Sequence, residues 1–148
     1  MSKASEVSFA TTLHVRDHCL CLHTQRAARM LARRFDEVLR PLGLTSGQFS
    51  LLNSVNRPEP VGMGSIAALL AMDRTTLTAA LKPLERDGLV DVAVVAADRR
   101  SRVVRLTRAG RALLASAIPV WEETHAKVEG LLAGADSDVL RRDLRLLS

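Results

Sequence analysis

The chain contains no tyrosine, and only three phenylalanines and one tryptophan among its 148 residues. The core must therefore be aliphatic, built from Leu, Val and Ala. A reader of single-stranded RNA is disfavoured, because such proteins stack bases on exposed aromatic rings. Long apolar runs are also missing. No stretch approaches the ~20 residues that span a bilayer, and MSKASEVSFATTLHVRDH holds no apolar segment of signal-peptide length. The expectation is a cytoplasmic protein with no membrane partner. Cysteine is scarce as well. Two cysteines two residues apart cannot form a disulfide framework, so both are read as reduced thiols at rest. There is no Gly-rich phosphate loop, no G-x-S-x-G elbow, no H-E-x-x-H pair and no convincing carboxylate pair. A non-enzyme without cofactor or metal is expected, and thiol peroxidase chemistry at Cys21 is the one enzymatic alternative.

Positive charge is what the chain does have. The formal net charge is +5, with 47% hydrophobic and 25% charged residues. That is a globular composition with a basic balance, which suits a polyanionic partner, nucleic acid before membrane. An idle basic surface has the same bulk charge, so the clustering of the cations has to decide.

Leu20 to Leu39 reads as a helix. Cys21, Thr24, Ala28, Leu31, Phe35, Val38 and Leu42 recur at spacings of three and four, one continuous inward stripe. Pro41 and Gly43 end it. Thr45 can cap a second helix, SGQFSLLNSV, and RPEPVGMG reads as a loop. SIAALLA and RTTLTAALKPLERDG then form two short helices across a tight turn, with Asp73 as N-cap and Gly88 as left-handed C-cap. This is a helix-turn-helix pattern. LVDVAVV and RVVRLT flank AADRRS as a β-hairpin with an Arg-rich tip. A long helix follows, capped by Thr107 and bent at Pro119, and SDVLRRDLRLL forms a last short helix.

This order is a winged-helix layout, and its chemistry suits duplex DNA. The N-terminal end of the second helix of the pair offers Arg74, Thr75, Thr76 and Thr78 to base edges. Arg forks onto guanine, and Thr donates, accepts or packs its methyl on thymine. Lys82 suits a phosphate. Arg99, Arg100 and Arg102 on the hairpin suit the backbone or the adjacent minor groove. Asp98 is expected to pair with a neighbouring Arg and orient it. A solvated charged face is the competing reading for each element, and it weakens when helix pair and hairpin are taken together.

DRTTLTAALKPLERDGLV followed by DRRSRVVRLTRAGRALL resembles the MarR family of bacterial transcription regulators, from about Cys19 to the C-terminus. The resemblance implies a single domain over 1–148, mainly α with a small β-hairpin wing. A winged helix-turn-helix would occupy about 45–107, and additional N- and C-terminal dimerisation helices about 17–42 and 108–148. It implies a homodimer on a palindromic operator, most often a repressor, released by a small phenolic or other aromatic acid bound between the two parts. Leu31, Phe35, Phe49, Leu52 and Trp121 are candidate pocket residues, with plain core as the alternative. Two departures stand out. Ala79 replaces a frequently basic residue, and Pro83 interrupts the recognition helix at the cost of one backbone hydrogen bond. Trp121, Val128, Leu131 and Leu132 are more apolar than a lone winged helix needs, which independently favours a dimer. Covering the back of the same domain is the competing role.

HCLCLH, residues 18–23, holds both cysteines and two of the four histidines. Three readings stay open. On one continuous helix His14, His18 and Cys21 share a face, a candidate metal set without a fourth ligand. Cys21 resembles in position the reactive cysteine of the organic-hydroperoxide-sensing branch of the MarR family. The tyrosines of that branch are absent, with Gln25 and Phe35 at the matching places, and His18 could supply charge. Cys21 as a small core residue is the third reading. On such a helix Cys19 would point about 200° from Cys21, which forbids a bridge between them; a Cys19-to-Cys19 bridge across a dimer is conceivable.

Overall fold

A computed structural model describes residues 6–148. The chain forms two compact units, one ending at Arg34 and one covering Phe35–Ser148.

In the first unit, Ser8 caps helix α1 (Phe9–His18) by accepting the Thr11 backbone N–H at 3.1 Å. No sustained apolar stripe marks α1, and Thr11, Thr12 and Val15 are weak helix formers. Cys19 then interrupts the helix in an extended conformation (φ −69°, ψ 108°). Helix α2 (Leu20–Leu39) restarts at once and continues into the second unit. Only the end of its apolar stripe packs as expected. Phe35, Val38 and Leu42 lie half-buried against the core, while Cys21, Thr24, Ala28 and Leu31 are exposed in the single chain.

The second unit holds the core. A short 3-10 turn over Arg40–Leu42 ends in Gly43 (φ 72°) and leads to helix α3 (Ser46–Val55). Thr45 and Gln48 form a reciprocal capping box there, which satisfies two otherwise orphaned N–H groups. Asp36 accepts the Ser46 N–H at 2.6 Å and ties the end of α2 to this start. That bond holds the Asp36 carboxyl below its ordinary range.

Strand β1 (Val61–Gly62) precedes helix α4 (Met63–Leu70). A three-residue turn from Ala71, itself left-handed at φ 51°, leads to helix α5 (Arg74–Arg86). Strands β2 (Val90–Val95) and β3 (Asp98–Leu106) form the hairpin. The sheet order is β1-β3-β2, fully antiparallel. The pairing of β1 with Val103 and Val104 went unread in the sequence, because two residues show no periodicity. The expected six-residue tip is tighter than that: Ala96 and Ala97 make the turn, and Asp98 to Ser101 already belong to β3, beside an irregularity at Val94/Val95.

Helix α6 (Arg108–Gly130) starts from Thr107 and carries Pro119 without ending; α5 likewise runs past Pro83. Helix α7 (Ser137–Leu146) closes the chain, tied back through Arg141 to Glu129 at 2.9 Å. Leu39, Leu52, Ile66, Leu77, Leu84, Val90, Val104 and Ala117 are essentially without exposed surface, so helices α3 to α6 and the hairpin share one aliphatic core. No helix among the described residues is long and apolar enough to cross a membrane.

One junction fixes the hairpin to α6. The Thr107 hydroxyl donates to the Gly88 carbonyl at 2.6 Å and accepts the Gly110 N–H at 3.0 Å, while the Thr107 N–H donates to the Leu89 carbonyl. Gly110 lies so close to Leu89 that a Cβ would collide with the Leu89 carbonyl. Gly88, at φ 71°, makes the left-handed exit from α5.

Candidate nucleic-acid interface

Helix α5 buries Leu77, Leu81 and Leu84 and turns Arg74, Thr75, Thr76, Thr78, Ala79 and Lys82 outward, all exposed. Its start is set by Asp73, whose carboxylate accepts both the Thr76 N–H (2.7 Å) and the Thr76 hydroxyl (2.8 Å). The N–H bond, followed by the hydroxyl bond, holds the Asp73 carboxyl below its ordinary range, so the cap remains an anion at neutral pH. Thr76 therefore has its hydroxyl proton committed. The Thr78 hydroxyl is committed too, donating to the Arg74 carbonyl at 2.8 Å.

The wing stands beside α5. Val92 of β2 and Arg102 of β3 share a cleft of about 170 Å³ with Met63, Thr78, Leu81, Lys82 and Glu85. Helix and hairpin thus present Thr78, Lys82 and Arg102 around one depression. Arg99 and Arg100 are exposed at the start of β3. The expected pairing of Asp98 with an Arg side chain is not what the structure holds. Asp98 accepts the Ser101 hydroxyl (2.7 Å) and the Arg100 backbone N–H (3.1 Å). Those bonds, the Ser101 one first, hold its carboxyl below the ordinary range. A carboxylate with a backbone N–H two residues on and a serine hydroxyl three residues on closes an Asx-type turn more readily than it reaches a long guanidinium. Ser101, overlooked in the sequence, is legible there as the serine three residues after Asp98. Arg102 folds back, donating to the carbonyls of Arg99 (2.8 Å) and Ser101 (3.3 Å).

The candidate pocket residues scatter. Phe49 and Trp121 line an open cleft of about 310 Å³ with Ser50, Asn53, Ser54, Leu69 and Ile118. Their rings stack at 6.4 Å, and His125 also stacks on Trp121 at 4.6 Å. Leu52 is fully buried core, Phe35 packs half-buried against that core, and Leu31 is exposed in the first unit. The polar lining, Ser50, Asn53 and Ser54, follows one face of α3, and only the packing of α3 against α6 makes that face line a cleft.

HCLCLH is not one helix. The break at Cys19 removes the shared face proposed for His14, His18 and Cys21, and with it the rigid 200° separation of the two thiols. The Cys19 sulfur accepts the Leu22 N–H at 3.4 Å, as a cap for α2. Nδ1 of His18 and of His23 each lie 2.8 Å from a backbone carbonyl, of His14 and Cys19 respectively. No cluster of three or more His, Cys, Asp or Glu side chains suited to a metal ion occurs among the described residues. Cys21 is exposed, and its sulfur accepts from the Gln25 amide at 3.1 Å, Gln25 in turn accepting from Arg29 at 3.2 Å.

A capped recognition helix, a three-residue turn from the preceding helix and a basic hairpin at its side define a winged helix-turn-helix protein. Residues 42–101 match the MarR family. The chain is 41% identical to the M. tuberculosis transcriptional regulator MosR, solved in complex with DNA. That match covers 88% of this chain and 93% of that one, with a TM-score of 0.78. It is 29% identical to the transcriptional repressor CouR bound to a 23-mer DNA duplex, covering 97% and 99% of the two chains, with a TM-score of 0.77. It is also 35% identical over 100 residues to the transcriptional activatory protein BadR of Rhodopseudomonas palustris. That match takes in 66% of this chain and spans about half, 53%, of BadR. The chain belongs to the MarR family of winged-helix, DNA-binding transcription regulators.

Proposed function

We propose that the protein is a homodimeric repressor that holds a palindromic operator and is released by a small aromatic or phenolic ligand. The observation that carries this reading is the shared face of α5 and the wing. Arg74, Thr75, Thr76, Thr78 and Lys82 serve the major groove and its phosphates, and Arg99, Arg100 and Arg102 serve the flanking backbone or minor groove. Asp98 acts on the wing through its turn and not by touching DNA. Residues 45–107 form the DNA-reading part, and 17–42 with 108–148 the dimerisation part.

Exposed apolar side chains support the dimer. Leu131, Val139, Leu140, Leu144, Leu146 and Leu147 are between 39% and 79% exposed in the single chain, as are Phe9 (74%) and Leu20 (68%). Exposed apolar side chains in this number favour burial against a second copy. The stacked Phe49 and Trp121 rings, with Asn53 and Ser50 beside them, supply a flat apolar slot with hydrogen-bonding groups for an aromatic ligand. Repression is favoured by the resemblance to CouR; BadR, an activatory protein, marks the alternative outcome.

A second reading rests on Cys21. Its thiol is exposed, and its sulfur accepts from the Gln25 amide with Arg29 behind it, so it is open to attack by an oxidant and oxidation at Cys21 is a competing release signal.

Fluorescence anisotropy of the reduced protein on labelled duplex from its own upstream region tests both. The proposal requires binding well above that of random duplex at physiological salt, and equal binding to the two sinks it. Release by small aromatic acids supports the ligand reading. Release by cumene hydroperoxide that is lost in Cys21→Ser supports the thiol reading instead.

A further inference from the structure

On the face of α5 opposite its buried leucines, Thr75, Ala79 and Lys82 follow at spacings of four and three, with Arg74 and Thr78 alongside. Together these five residues line an open hollow of about 330 Å³ on the helix surface. The hollow exists because Ala79 ends at its Cβ, while Arg74 and Lys82 rise on either side. Thr78 spends its hydroxyl proton on the Arg74 carbonyl, so its oxygen can still accept but not donate, and its γ-methyl offers apolar contact. Thr76 spends its proton on Asp73. The Thr75 hydroxyl makes no bond within the described residues and keeps its proton to donate.

We infer that this hollow receives the C5-methyl group of a thymine in the major groove, so that Ala79 and Thr78 determine base preference at one operator position. The inference rests on the DNA-binding reading above. Among the four bases only thymine places a methyl group in the major groove, and its O4 acceptor lies next to that methyl. The methyl lies over the Ala79 Cβ and packs on the Thr78 γ-methyl, while the Thr75 hydroxyl donates to O4. Arg74 and Lys82 hold the flanking base edge and phosphate. A longer residue in place of Ala79 would fill the hollow and trade this apolar contact for a polar one. The Thr78 back-bond sharpens the choice, because a hydroxyl whose proton is held by the helix cannot donate to guanine O6 or N7.

The same methyl occurs on 5-methylcytosine, which presents an amino donor where thymine presents O4. Thymine is the assigned occupant because the Thr75 hydroxyl, Arg74 and Lys82 all have protons to donate and the two cations cannot accept, which suits O4 and not an amino group.

The test uses the full-length protein and the duplex from its own upstream region. Each thymine is replaced in turn by deoxyuridine, which deletes the methyl and leaves base pairing unchanged. At the contacted position affinity falls about fourfold, the worth of one buried methyl. Thr78→Ser keeps the Oγ bond to Arg74 and removes the γ-methyl, and should shrink that ratio to about two. Ala79→Lys fills the hollow and should abolish it. Unchanged affinity at every deoxyuridine position, or a ratio that survives in Ala79→Lys, overturns the inference while leaving DNA binding intact. A response to cytosine methylation in place of thymine demethylation overturns the assignment to thymine. Failure of the unmodified duplex to bind above random duplex overturns the DNA-binding reading itself, and this inference with it.

Discussion

Replacing Gly110 by alanine sets two physical effects of opposite sign against each other. Gly110 is the third residue of α6, where alanine is the better helix former by up to about 1 kcal/mol. If local propensity ruled, Gly110→Ala would stabilise the protein. The tertiary structure argues the reverse. A Cβ there would collide with the Leu89 carbonyl oxygen, lie 3.0 Å from its carbon and reach Leu106 Cδ2 at 3.3 Å. The oxygen cannot simply withdraw, because it accepts the Thr107 N–H at 3.1 Å. Overpacking of this kind costs about 1–3 kcal/mol, and loosening one hydrogen bond costs about 1 more. Less the helix gain, the net loss is about 1–3 kcal/mol. At fixed protein concentration that lowers Tm by several degrees, at about 2–4 °C per kcal/mol for a chain of this size. Urea denaturation followed by circular dichroism measures it. Gly64→Ala is the control: Gly64 sits in the first turn of α4 with nothing within 4 Å of its virtual Cβ, so alanine should be neutral or stabilising there. A Gly110→Ala protein as stable as wild type would refute the argument, showing that the α5–hairpin–α6 junction yields at little cost.

The remaining expectations concern the interface. Lys82→Ala should lower affinity for every duplex alike and reduce the slope of log K against log salt by about one; a loss confined to particular sequences would place Lys82 on a base. Arg74→Ala should cost about 1–3 kcal/mol of binding and relax the preference at a single base pair, read by competition with singly substituted duplexes. Asp73 has its folded-state pKa below its ordinary value of 3.8. Its share of stability is therefore complete above that value and disappears as pH falls through the depressed pKa. The stability gap between wild type and Asp73→Asn should be constant from pH 7 to about 4.5 and should narrow in stronger acid; a constant gap at pH 3 would show that the carboxylate charge contributes nothing. Ser101→Ala should leave the fold intact and weaken DNA binding several-fold by freeing Asp98 and the wing turn, and unchanged affinity would remove Ser101 from the interface.

Much of this protein follows from local chemistry that a sequence carries openly. Thr45 with Gln48, Asp73 with Thr76, and Thr107 with Gly110 are caps whose partners lie three residues away, so the starts of α3, α5 and α6 are legible to the residue, whereas α4, which has no side-chain cap, begins two residues before SIAALLA. The apolar spacing of Leu77, Leu81 and Leu84 fixed which face of α5 turns inward, and hence which residues face outward. Gly88 announced its left-handed turn for the same local reason.

What tertiary structure alone decided lies at longer range or depends on competition between partners. The pairing of Val61 and Gly62 with β3 joins residues about forty apart. Asp98 chose a hydroxyl and a backbone N–H over the arginines around it, an outcome set by turn geometry and not by charge. The break at Cys19 arises where two helices meet, so a spacing argument that assumed one continuous helix failed there. The steric need for glycine at position 110 exists only because the Leu89 carbonyl is brought against it by the fold. Phe49 and Trp121, more than seventy residues apart, became one cleft while Leu52 sank into the core, because α3 and α6 pack by their shapes as well as their patterns. Sequence periodicity specifies which side of each element is apolar; the packing of one element on another decides which of those apolar residues meet, and which polar groups are left to face a ligand or DNA.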